Sequence, residues 1–201
     1  MDKIKTDTLL LTSVKRGDAY ILKLSNSQNE IGIICRATAI LFAHGWNIIE
    51  ATAETSEHGI VDDIFVVQSL NNEKMTVVRL SEIRTDLEQM LYNGLSIMEY
   101  LGSKLKTLSH REIAYEKNSV HLYNPESIDL TVMDVRALDR PGLLFEISEI
   151  LFLSGIDIIS FTAKTERGEV RDTFLLREES GKRITDESRL ERLSKGILSI
   201  L

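Results

Sequence analysis

The 201-residue sequence has one cysteine, Cys35, so neither a disulfide within the chain nor a thiolate metal cluster is available to it. Long hydrophobic runs are also missing. The N-terminal Leu9-Leu10-Leu11 is far too short for a secretory core or a membrane span, so no membrane partner is expected and the cytoplasm is the expected compartment. Nor is there an excess of positive charge: 24 Lys+Arg stand against 31 Asp+Glu, for a net charge of −7. A general nucleic-acid binder needs a basic surface, and this balance argues against one. The single basic gathering, Lys104, Lys106, Arg111 and Lys117, is interleaved with Glu112 and Glu116. It reads as a solvated linker, with an acidic partner as the alternative.

What is present is ordinary globular material, 43% apolar and 27% charged, on a length that suits one or two domains. Its most informative feature is internal. Residues 32–49 align with residues 142–159 at a constant offset, with Gly32/Gly142, Ile40/Ile150, Leu41/Leu151, Phe42/Phe152, Gly45/Gly155, Ile48/Ile158 and Ile49/Ile159 identical. The match runs on through Thr52/Thr162, Ala53/Ala163 and Thr55/Thr165. After one residue is dropped at a turn it resumes with Gly59/Gly168, Val61/Val170, Asp63/Asp172 and Phe65/Phe174. Glycines, apolar and polar positions recur in one order, which marks two copies of one supersecondary unit.

Each copy reads as strand–helix–strand–strand–helix. Ala19–Leu24 and Ile128–Val135 are the first strands, the second showing apolar alternation at Ile128, Leu130 and Val132. Leu143, Leu144, Ile147, Ile150 and Leu151 recur at helical spacing, and Gly45 and Gly155 suit helix C-caps. Two β-rich runs follow, Asp157–Thr165 and Glu169–Leu176 in copy two. They are joined at Arg167-Gly168 there and at Glu57-His58-Gly59 in copy one. Amphipathic helices Thr76–Leu91 and Asp186–Leu201 close the units. The order fits an α+β class: ferredoxin-like βαββα(β) units, antiparallel sheets with helices on one face. The expected domains are 1–93, a linker 94–126 with a short helix and a strand, and 127–201. Leu95, Met98, Leu101 and Leu105 mark the short helix. Thr8–Thr12 or Ser119–Tyr123 are candidates for the missing fourth strand of copy two.

The first strand-to-helix turn is where a site is expected. In Asp139-Arg140-Pro141-Gly142-Leu143-Leu144, Asp139 suits an N-cap, Pro141 suits the first turn, and Gly142 removes a side chain where a ligand could approach the backbone. Such a turn points free N–H donors and the positive end of a helix outward, toward a carboxylate. Asp157, at the start of the neighbouring strand, is a candidate partner for an α-ammonium group. The alternative reading is simply a well-made helix start. Copy one has Asn29-Glu30-Ile31-Gly32 in this place, and Asn47 where copy two has Asp157.

These residues, with Gly155-Ile156-Asp157-Ile158, Asp172-Thr173-Phe174 and Asp63-Ile64-Phe65, resemble the ACT domain. The likeness is closest to the C-terminal ACT pair of uridylyltransferase/uridylyl-removing enzymes and covers roughly residues 19–201. It implies a regulatory module with a small, glutamine-like amino-acid ligand, a regulated protein partner, a homodimer through ACT sheet edges, and no cofactor. By that resemblance one site maps to Asn29, Gly32 and Ile33 with Asn47. The other maps to Asp139, Arg140, Gly142 and Leu143 with Asp157 and Ile158. Whether the copies pair within one chain or between chains stays open. The catalytic motifs of that family do not match: Gly102-Ser103 is not followed by paired aspartates, and none of His44, His58, His110 or His121 precedes an aspartate.

Three functions compete: an amino-acid sensor, a ligand-free scaffold using ACT sheet pairing, and an enzyme. The last needs a nucleophile–base or metal cluster, and the sequence offers none. His44, beside Gly45, reads as a helix-end cap, and Cys35 as a buried thiol. Trp46 is expected to pack at the sheet edge, and Asp62 and Asp63 to point to opposite faces.

Overall fold

A computed structural model describes residues 9–26, 31–55, 61–104 and 118–201. Copy one comprises β1 (Leu10–Arg16), β2 (Ala19–Asn26), α1 (Ile33–Ala43), β3 (Trp46–Thr55), β4 (Val61–Ser69) and α2 (Val77–Tyr92). A short helix, α3 (Ile97–Lys104), follows. Copy two is β5 (Ser119–Tyr123), β6 (Thr131–Leu138), α4 (Leu143–Leu153), β7 (Ile156–Glu166), β8 (Glu169–Glu178) and α5 (Glu187–Leu198). The expected turn at Glu57-His58-Gly59 and the expected site residue Asn29 lie outside the described residues.

Local chemistry explains most of the boundaries. Thr76 caps α2 by accepting from the Arg79 N–H, and Asp186 caps α5 by accepting from Ser188 and Arg189. Gly45 and Gly155, at φ +77° and +67°, carry the chain out of α1 and α4. Arg167 and Gly168 both have positive φ, the geometry of a tight two-residue hairpin. Copy two's first strand starts at Thr131 rather than Ile128. The buried Thr131 hydroxyl donates to Asn124 and accepts from the Ile184 N–H, which fixes the chain there. In α3 the inward residues are Ile97, Tyr100 and Leu101, while Met98 is exposed, contrary to expectation.

Among the described residues all strands join one eight-stranded sheet, in the order β1-β2-β4-β3-β7-β8-β6-β5, and every pairing is antiparallel. The outer strand of each half precedes its first core strand: β1 pairs with β2, and β5 pairs with β6. Of the two candidates for copy two's fourth strand, Ser119–Tyr123 fills the place, while residues 10–16 serve copy one. The apolar core lies between one face of the sheet and the helices, with Leu22, Phe65, Phe161 and Phe174 fully buried.

The halves meet within the chain, through β3 and β7. In that register Thr52 faces Thr162, its own counterpart in the repeat. Between α1 and α4, which pack on each other, the hydroxyls of Thr38 and Ser148 lie 3.1 Å apart, and these are counterparts too. Equivalent residues meeting each other define a local two-fold axis, the arrangement of an isologous dimer inside one chain. Trp46 is buried at the start of β3, edge-on to Tyr20 at 5.7 Å. Trp46 thus belongs to the core, as its counterpart Ile156 suggests, on a strand that is central in the sheet although its ladder to β7 spans only Glu50–Glu54.

Candidate functional site

The turns before α1 and α4 are built alike. Gly32 and Gly142 are the N-cap residues, at φ +86° and +84°, and neither helix has a side-chain cap. A β-carbon at this φ is strained, which explains glycine at both places. Asp139 is therefore not the N-cap. It stands three residues ahead of that position, where its carboxylate accepts from the Thr165 hydroxyl at 3.1 Å and from Asn47. Pro141 precedes the helix rather than lying in its first turn.

Nor are the turns fully open: Gly32 and Gly142 are half-buried, although Pro141 is exposed. The Phe42 ring at the end of α1 lies against Gly142, and its counterpart Phe152 at the end of α4 lies against Gly32. A β-carbon built on Gly142 would meet Phe42 at 3.1 Å, and one on Gly32 would meet Phe152 Cε2 at 2.6 Å. Each half thus covers the other's turn. Arg36 holds the Phe152 ring from outside, its guanidinium 5.4 Å from the ring centroid, and donates to the Ile31 carbonyl.

Beneath each ring is a small cavity that neither copy forms alone. One, of about 20 Å³, lies among Gly142, Leu143, Asp139 and Arg140 of copy two and Asn47, Ile48 and Thr38 of copy one. Its counterpart, of about 10 Å³, lies among Gly32, Ile33 and Cys35 of copy one and Asp157, Ile158 and Ser148 of copy two. Each has room for about one water molecule. The expected grouping is corrected here: Asn47 belongs with the Asp139–Leu143 turn, and Asp157 and Ile158 with the Gly32–Ile33 turn. The strand start that completes a turn comes from the opposite copy, because β3 and β7 are neighbours. Both strands carry a bulge beside the cavity, at Ile49 in β3 and at its counterpart Ile159 in β7.

Two of the expected charged contacts are already occupied. Arg140 grips Glu146 through two hydrogen bonds of 2.8 and 2.5 Å and donates to the Ile200 carbonyl. Asp157, 4% exposed, holds the Arg177 guanidinium at 2.9 and 3.1 Å. The carboxyls facing the cavities from inside are site groups that the turn motif alone does not point to. Asp172 lines the Gly142 cavity, and burial, with the nearby Asp139 adding to it, pushes its pKa up to about 7. Asp63, its counterpart, lines the Gly32 cavity, and burial holds its carboxyl well above the usual range. Burial also raises the Asp139 carboxyl, against hydrogen bonds that favour its charged form. Phe42/Phe152 and Asp63/Asp172 are visible in the sequence as identities of the repeat, and Asp63 and Asp172 also stand among the residues that carry the resemblance.

Elsewhere, His44 is the C-cap of α1 as expected, but through its backbone N–H, which donates to the Ile40 carbonyl at 3.0 Å; its side-chain Nε2 lies 2.8 Å from Asp86, which also accepts from the Tyr100 hydroxyl at 2.6 Å. Among the described residues no cluster of His, Cys, Asp and Glu has the makings of a metal site, and no helix is long and apolar enough to cross a membrane.

No protein-family profile matches the chain. It is 26% identical over 165 residues to a bifunctional uridylyltransferase/uridylyl-removing enzyme of Cereibacter sphaeroides, covering 82% of this chain and 18% of that protein. The like-named enzyme of Azospirillum brasilense is 25% identical over 193 residues, covering 94% of this chain and 21% of that protein. A solved aspartate kinase from Synechocystis aligns with 90% of this chain and 27% of its own at 15% identity, with a TM-score of 0.45. The chain spans about a fifth of the length of these curated relatives. It is an α+β protein with an antiparallel sheet, similar in sequence to one region of the uridylyltransferase/uridylyl-removing enzymes.

Proposed function

We propose that the chain is a non-catalytic regulatory module that binds a small amino acid at the junction of its two halves and signals through the packing of those halves. The observation that carries this reading is the pair of equivalent cavities built across the two-fold axis. Each is bordered by a helix start without a side-chain cap, which suits a carboxylate. The likeness to part of the uridylyltransferase/uridylyl-removing enzymes makes glutamine the first ligand to try and a nitrogen-regulatory protein the first partner to look for.

The described conformation is the closed one. An amino acid is many times larger than either cavity, so Phe42 and Phe152 must swing away from Gly142 and Gly32 to admit it. Each ring belongs to the opposite half, and entry at one turn therefore displaces the helix end of the other copy. That supplies the link from occupancy to the relation between halves.

The covered turns also favour a second reading, a ligand-free scaffold in which the rings are permanent packing. Calorimetric titration of the full chain with glutamine and the other standard amino acids separates the two, supported by thermal melts. A ligand at a hundred times its Kd raises stability by about 2.7 kcal/mol. Absence of heat and of any melting shift across the panel would favour the scaffold.

A further inference from the structure

The junction cavities contain a feature that a carboxylate site at a helix start does not require. Asp63 on β4 is fully buried, and among the described residues neither of its oxygens has a hydrogen-bond partner. It stands on the wall of the Gly32 cavity, and no described residue lining that cavity is a lysine, arginine or histidine. Asp157, on the same cavity, is already held by Arg177. The neighbouring Asp62 lies on the exposed face of the strand and pairs with Lys23 and Ser25, so the strand gives Asp63 no compensating charge.

A carboxyl in such a place lowers stability, since burial removes its water and nothing replaces it. Packing does not explain it, because a leucine or asparagine would fill the space without the ionisable group. The same group recurs at Asp172 in the Gly142 cavity, where among the described residues it accepts one hydrogen bond, of 3.2 Å, from the Lys164 N–H. What fits an unpartnered acceptor on a cavity wall is a donor that comes with the ligand, and a cationic one forms the strongest hydrogen bond.

We propose that Asp63, and Asp172 in the equivalent place, receive the ammonium group of a free α-amino acid whose carboxylate lies toward the adjoining helix start. This rests on the amino-acid reading above and names the group that selects within it. A carboxylic acid of the same shape without the amino group leaves the aspartate unpaired and binds weakly.

The test uses the full chain and its Asp63→Asn and Asp172→Asn variants. Each is titrated with L-glutamine, L-serine and L-leucine, then with the des-amino acid of each. Calorimetry gives affinity. Methyl NMR locates the ligand, Ile33 and Ile158 reporting the Gly32 cavity, Ile48 and Leu143 the Gly142 cavity. An amino acid that moves one set of methyls is expected to bind about tenfold to a hundredfold more tightly than its des-amino form. The aspartate variant of that cavity is expected to lose that preference. Unchanged affinity and preference in the variant overturn the ammonium assignment and leave the ligand site standing. If none of the three amino acids binds wild type, the sensor reading falls and this proposal with it. Both variants remove a buried ionisable group, so both are expected to fold. Should one fail to, the other cavity decides.

Discussion

Replacing Asp172 by asparagine turns a buried acid into a measurable change in stability. In the folded chain burial raises this carboxyl from 3.8 to about 7, while in the unfolded chain it titrates at its ordinary value. Between those two values the native state keeps a proton that the unfolded state has released. Wild-type stability from this group therefore falls as pH rises from about 4 to about 7, and is level above that. The gap corresponds to about 4 kcal/mol at pH 8, an upper bound. Asparagine is neutral throughout and can keep the acceptor for the Lys164 N–H, though its own N–H groups lack partners. The variant is expected to match wild type near pH 4 and to exceed it by about 2–4 kcal/mol at pH 8. Urea unfolding at half-unit intervals from pH 4 to 8 gives the difference directly, and subtraction cancels the groups both proteins share, Asp63 included. A difference that does not change with pH, or a variant less stable at pH 8, would refute the reasoning.

Gly142→Val is expected to destabilise by about 2 kcal/mol or more, because φ is +84° and the new β-carbon would meet Phe42 at 3.1 Å; a melting temperature equal to wild type would count against the packed turn. Phe152→Ala uncovers Gly32. It should cost about 1–3 kcal/mol, less than a fully buried ring, while tightening amino-acid binding at the Ile33 and Ile158 methyls; weaker binding there would show that the ring belongs to the site rather than to its cover. Cys35 is buried, and burial pushes its thiol up to about 12. Ellman's reagent at pH 8 should label it only as the chain unfolds, and labelling of the native protein within seconds would contradict its place in α1.

The duplication, the order of elements and the class of fold are legible in the sequence, because the repeat superimposes glycines and apolar stripes together. What the repeat does not carry is the neighbour of each strand. Periodicity assigns a residue to a face, and the β3–β7 pairing that brings Asn47 to Asp139 is a long-range fact with no local pattern. For the same reason sequence order groups Asp157 with the turn of its own copy, although the fold places it at the other. The cap expected at Asp139 fails for a geometric cause. An N-cap immediately precedes the first helical residue, and α4 begins at Leu143 after a glycine that takes that place. Strand β1 has little apolar alternation, and pairing with β2 is what orders it. In sequence, Phe42 and Phe152 are simply part of an apolar helix. Only the packing of one half on the other reveals them as covers, since each lies over a glycine far away in the chain.

The meeting of Thr52 with Thr162 has a consequence for any fragment made from this protein. A fragment holding only residues 118–201 would expose the edge of β7 and leave Gly142 without its aromatic neighbour. Another molecule of the same fragment offers both: a β7 whose Thr162 can sit opposite the first, and a Phe152 in place of Phe42. Such a fragment is expected to sediment as a symmetric pair. Tethering two such halves in one polypeptide frees them to drift apart, so that Asn47 can stand on one side where Asp157 stands on the other, a division of labour closed to identical subunits.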